Sequence, residues 1–148
     1  MAGRVRRVAF VALAAGTIGL GLWVHRGGPA MSPAVRDVLG DGLWAMMMAW
    51  LVGAAAPGAR VVYRNAAALG ICVVVELSQL VRTPWLATAR QTSLGQLVLG
   101  SGFDPRDLAA YALGVAVAAL LEWAPVGGRR IPRRYHPARG GRGSNGQE

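Results

Sequence analysis

The sequence predicts an all-α polytopic membrane protein with four transmembrane helices and an interfacial or re-entrant segment between the third and the fourth. Three observations lead there. Of the 148 residues 53% are hydrophobic and 16% charged, where soluble domains carry about 25% charged residues. The apolar residues come in blocks of spanning length, with most charges at the block ends. Strong breakers, Pro57-Gly58 and Thr83-Pro84, divide the blocks.

Residues 1–7 read as a basic leader carrying Arg4, Arg6 and Arg7. The uncharged run Val8 to Val24 follows, just long enough for a first helix over 8–24. A cleaved signal peptide would share the basic start. The run is long for a signal core, however, and Arg26 precedes any small-residue cleavage site such as Ala30, which favours an uncleaved helix. Ser32-Pro33 supplies an N-cap and a first-turn proline for a second helix over 33–56. Its first turns hold Arg36, Asp37 and Asp41 at headgroup level, and Pro57-Gly58 ends it.

A third helix over 60–81 begins with Arg60 and Arg64, both expected to snorkel to the interface. It contains Glu76, Ser78 and Gln79, and Arg82 and Thr83-Pro84 close it. The stretch 85–103 is apolar but interrupted by Arg90, Gln91, Gly95, Gln96, Gly100 and Gly102, which argues for an interfacial or re-entrant segment over a fifth crossing. Asp104-Pro105 opens the last helix, over 105–124, with Glu122-Trp123 at its far boundary. Residues 125–148 form an Arg-rich, Gly- and Pro-containing tail that cannot bury a core and is expected to be disordered in water.

The 16 basic residues are all arginine, against seven acids, for a net charge of +9. Their place at block ends, and not on a recognition element, argues against nucleic acid as partner. Arginine without lysine fits a GC-rich bacterial genome. Cys72 is the only cysteine, which excludes an intrachain disulfide, and neither Cys-x-x-Cys nor His-x-x-x-His occurs. No cofactor and no protein-built metal site is expected.

Four crossings put both termini on one side. That side receives the leader, the second loop and the tail, with eleven arginines, and the other side receives five. The positive-inside rule then places both termini in the cytoplasm of a cell with the chain in its inner membrane. The expected partners are the lipid bilayer and, at the tail, anionic headgroups, at about 1 kcal/mol per arginine near the surface. The same topology gathers Asp37, Asp41, Glu76, Gln79, Asp107 and Tyr111 near the outer leaflet, with Arg90 in the outer loop. Spacing strengthens this, because Asp41 and Trp44, Glu76 and Gln79, and Asp107 and Tyr111 each share a helix face. A buried acid in a membrane is normally paired, neutral or facing water.

Asp41, Glu76, Gln79, Arg90, Asp107 and Tyr111 are therefore the candidate polar cluster. Structural roles stand beside the functional one. Asp107 sits three residues after Asp104 and has the spacing to complete a capping box. Asp41 can lie simply among headgroups. Glu76 can serve as a partner of Arg82 or Arg90, and Gln79 as an interhelical hydrogen bonder. No histidine is placed as a base inside the membrane, and Ser78 points about 200° away from Glu76, so catalysis is not expected.

The run Gly40-Asp41-Gly42-Leu43-Trp44-Ala45-Met46-Met47 resembles the second-helix signature of a family of small bacterial membrane proteins, domain of unknown function two-eight-zero-nine. Glu76-Leu77-Ser78-Gln79-Leu80, Pro84-Trp85-Leu86, Arg90, Leu94-Gly95, Leu99-Gly100, Gly102-Phe103, Asp107-Leu108 and Tyr111 carry the rest of it, over about residues 36–115. More distantly, the order of Asp41, Glu76, Gln79, Arg90 and Asp107 is similar to that of the VanZ-like membrane proteins, some of which are associated with resistance to lipophilic glycopeptides. Here Tyr111 stands where those proteins often have an asparagine. The resemblance implies an envelope protein, and the convergence of these residues at the outer leaflet points to a polar cluster that binds an envelope component or amphiphile. A small proton-linked transporter and a structural or assembly subunit are the alternatives.

Overall fold

A computed structural model describes residues 2–26, 30–81, 83–92, 95 and 102–123. Every regular element among them is a helix: α1 (Ala2–His25), α2 (Pro33–Ala55), α3 (Val61–Ser78), α4 (Pro84–Arg90) and α5 (Pro105–Trp123). Of these, α1, α2 and α3 are long and apolar enough to cross a membrane. α5 has comparable length, about 28 Å at 1.5 Å per residue, but carries Arg106, Asp107 and Glu122 near its ends. The tail 125–148 and most of the second half of the 85–103 stretch, on which the interfacial reading depends, lie outside the described residues.

The helix boundaries follow local chemistry. Ser32 caps α2, its hydroxyl accepting from the Val35 N–H at 3.4 Å with Pro33 behind it. Asp104 does the same for α5, its carboxylate accepting from the Arg106 N–H at 2.9 Å. Two boundaries differ from expectation. Arg4, Arg6 and Arg7, expected ahead of the first helix, form its first turns, because nothing before Val8 breaks a helix. α3 stops at Ser78, not at 81. Beyond it the backbone tightens into bonds three residues apart, from Gln79 to Glu76, Leu80 to Leu77 and Val81 to Ser78, at 3.0–3.1 Å.

α2 is the centre of the molecule and packs against α1, α3 and α5, while α3 also packs against α5. α2 and α5 run in one direction and α3 runs against both. This sets the starts of α2 and α5 beside the end of α3. At the opposite end the start of α3 meets the end of α5.

The interior is built from small residues: Ala45, Ala49, Ala68, Ala110 and Ala118 are buried, as are Gly53 and Gly114. Large apolar residues such as Val62, Val74, Leu77, Leu113 and Leu120 face outward. Where lipid solvates the outside, no hydrophobic drive pulls large side chains in, and small residues let backbones approach. The closest approach is between α2 and α5. A Cβ placed on Gly114 would run into the carbonyl oxygen of Gly42 and lie 2.8 Å from its carbonyl carbon. On the other side of α2, the Phe10 ring of α1 lies across Gly53 and stacks on Trp50, whose indole N–H donates to Thr17 Oγ1 at 3.2 Å.

Candidate functional site

Glu76 is the hub of the end where α2 and α5 begin. It sits two residues from the end of α3 and is 0% exposed. Its Oε2 accepts from Gln79 Nε2 at 2.8 Å and from the Tyr111 hydroxyl at 2.9 Å. Its Oε1 accepts from the backbone N–H of Asp104 at 2.8 Å. One carboxylate thus gathers donors from its own helix end, from the cap of α5 and from the second turn of α5. Three charge-assisted bonds offset the cost of burying it.

This arrangement corrects one reading. Asp104 gives its N–H to Glu76, so it is not available to Asp107 for a capping box. Asp107 instead lies near Asp41 of α2, close enough for the two carboxyl groups to interact. Both residues are half-buried. Helix N-termini favour acids, and the starts of α2 and α5 lie side by side here. The acids accordingly gather where two sets of free N–H groups converge. One turn further in, Trp44 of α2 leans on Tyr111 of α5, ring centroids 5.6 Å apart, which closes the floor below the acid pair.

Of the six candidates, Glu76, Gln79 and Tyr111 form one hydrogen-bonded group. Asp41 and Asp107 form an adjacent pair. The side chain of Arg90 and the whole of Arg82 lie outside the described residues. The acceptor role of Glu76 is filled among the described residues without an arginine. Ser78 donates to the Val75 carbonyl at 2.6 Å. Among the described residues no group of His, Cys, Asp and Glu side chains is disposed to hold a metal ion.

A second polar site at the opposite end escapes the sequence reading. Arg64, expected to snorkel, is 2% exposed and forms an ion pair with Glu122 at the end of α5. Its other terminal nitrogen donates to the Pro57 carbonyl at 3.3 Å, and its guanidinium carbon lies 4.9 Å from the centroid of the Phe10 ring. Asn65 lies beside it, and Arg7 of α1 donates to the Ala54 carbonyl at 3.0 Å. Arg64 sits at the positive end of its own helix and Glu122 at the negative end of its own. Each charge needs the other more than its helix needs it. The signal is present in the sequence as a stripe at steps of four, Arg64, Ala68, Cys72 and Glu76, all of them buried. A charged residue on the same stripe as a buried acid points inward with it.

No solved structure matches the chain. The family model described as protein of unknown function (DUF2809) matches residues 31–115. That span runs from the cap of α2 to the middle of α5 and takes in Asp41, Glu76, Gln79, Asp107 and Tyr111. With more than half of its length matched, the chain belongs to the DUF2809 family, a family of proteins of unknown function whose helices here are those of an integral membrane protein.

Proposed function

We propose that α1, α2, α3 and α5 cross the inner membrane of a bacterial cell, with both termini cytoplasmic. In this reading the Glu76 end faces outward, and the polar cluster of this VanZ-like protein binds an envelope component or amphiphile. The observation that carries the reading is the convergence of Glu76, Gln79, Tyr111, Asp41 and Asp107 at one end of the bundle. The orientation rests on arginine: Arg4, Arg6, Arg7, Arg60 and Arg64 lie at the other end, on the side that also receives the six arginines of the tail. Glu76 builds the cluster, and the half-buried Asp41 and Asp107 offer its open acceptors.

The test has two arms. In a Cys72→Ala background, single cysteines replace Thr88 or Gly58, and intact cells are treated with a membrane-impermeant maleimide. Thr88→Cys is expected to label and Gly58→Cys is not; the reverse pattern inverts the topology and removes the outward site. In the second arm the gene is deleted in its native host and growth is screened against envelope-active compounds. Wild type is expected to rescue a specific sensitivity that an equally abundant Asp41→Asn does not. Full rescue by Asp41→Asn would count against the cluster as a binding site.

A further inference from the structure

The two ends of the bundle are unequal in charge. Asp37, Asp41, Glu76, Asp104 and Asp107 all lie at the end where α2 and α5 begin. The other end, where α1 and α3 begin, holds Arg4, Arg6, Arg7, Arg60 and Arg64 against a single acid among the described residues, Glu122. That acid is committed to the buried Arg64. Arg6 lies within its electrostatic reach, but the Arg64–Glu122 pair is the one ion pair among the described residues.

Helix packing sets two of the remaining cations near each other. Arg7 and Phe10 of α1 lie against Ala54 and Gly53 of α2, so α1 starts at the same end as α3 and runs in the same direction. Both pack against α2, and among the described residues they do not pack on one another. They meet where the Arg64 guanidinium lies 4.9 Å from the centroid of the Phe10 ring. Arg6 stands four residues before Phe10. Arg60 stands four residues before Arg64, whose N–H donates to the Arg60 carbonyl at 3.2 Å. Residues four apart share a helix face, which puts Arg6 and Arg60 one turn, about 5.4 Å, beyond that contact toward the end of the bundle. Both are exposed, and neither forms an ion pair among the described residues. Arg60 also begins α3 without a side-chain cap on its first N–H groups. Two unpaired like charges beside the positive end of a helix are complementary to an anion.

The surroundings say which anion. Val5 and Val8 of α1 and Val62 and Tyr63 of α3, next to these arginines, are largely exposed. Cations flanked by exposed apolar side chains fit a phosphate that carries acyl chains better than a soluble anion. A guanidinium also matches phosphate oxygens two at a time. A zwitterionic headgroup brings its own cation to the site, and an anionic one does not.

We infer that Arg6 of α1 and Arg60 of α3 hold between them the phosphate of one anionic phospholipid, which ties together two helices that do not pack on each other. The inference goes beyond the proposed function: it needs the helices to lie in a bilayer, and not a particular end to face outward.

The full chain in detergent micelles is titrated with phosphatidylglycerol or with phosphatidylcholine of the same acyl chains, and bound lipid is counted by native mass spectrometry. One phosphatidylglycerol is expected to be retained, at least tenfold more tightly than phosphatidylcholine. Arg6→Gln and Arg60→Gln are each expected to weaken it about fivefold, with Arg60→Lys retaining more of it than Arg60→Gln. Replacing the six arginines of the tail by glutamine, or Arg106→Gln at the opposite end, is expected to leave it unchanged. Equal retention of the two lipids, indifference to Arg6 or to Arg60, or loss of the bound lipid with the tail arginines overturns the inference. Displacement of the lipid by inorganic phosphate assigns the site to a soluble anion and overturns it too. A reversed labelling of Thr88→Cys and Gly58→Cys would remove the outward site proposed above and leave this one standing.

Discussion

The two ends of the helix bundle bury acids by opposite means. At one end Glu122 meets Arg64, a charge against its counter-charge, with an aromatic ring and a backbone carbonyl completing the arginine's surroundings. At the other end Glu76 meets an amide, a phenol and a backbone N–H, and the aspartates of α2 and α5 meet each other. A charge pair closed on itself has little left to offer a ligand and is suited to holding helices together. An acid held only by neutral donors has no counter-charge at its end. The difference separates the fastening of this molecule from its candidate binding site.

Breaking the pair is the strongest test. Arg64→Ala or Glu122→Leu alone leaves an uncompensated buried charge and is expected to cost about 3–5 kcal/mol in detergent-unfolding titrations. Arg64→Met combined with Glu122→Leu should recover most of that loss; a double variant as unstable as either single one would mean that the pair is not what fastens α3 to α5. Gly114→Ala comes next, because the new methyl meets the Gly42 backbone and α2 and α5 must separate. About 1–3 kcal/mol is expected. Gly70→Ala, with open space around it, should be neutral or slightly stabilising in the same assay.

Glu76→Gln keeps the shape but leaves three donors with one acceptor oxygen, for an expected loss of about 1–3 kcal/mol. Amide exchange at Asp104 should quicken with it, and unchanged exchange would detach Glu76 from the start of α5. Asp41→Asn should change stability little. An asparagine can donate a hydrogen bond to Asp107 and carries no like charge, so stability should stay within about 1 kcal/mol of the parent. A loss as large as that of Glu76→Gln would make the aspartate pair part of the fastening and erase the contrast between the ends.

Much of this was legible in the sequence where local chemistry decides. Ser32-Pro33 and Asp104-Pro105 start helices, and Pro57 stops one, because caps and prolines act on their own neighbours. The meeting of Glu76, Gln79 and Tyr111 was legible because helix direction and spacing alone bring them near one another. The fate of Arg64 was not, since snorkelling and burial are equally open to an arginine near a helix start until its neighbour is known. Its partner lies 58 residues away and is reached only through the antiparallel packing of α3 on α5. The end of α3 was likewise hidden. No breaker stands between Glu76 and Arg82, and it is the tightened turn after Ser78 that ends the helix. Asp107 had the spacing of a capping residue, but its donor was taken by a carboxylate 28 residues away.

Synthesis runs from α1 to α5, and α3 carries a buried acid near one end and a buried arginine near the other. The ion partner of the arginine and two of the three donors to the acid belong to α5 or its cap. Until α5 arrives, α3 therefore holds two polar groups in the bilayer whose main partners have not yet been made. The last helix completes both ends at once, and a chain truncated before it would lack the ion pair and the candidate site together.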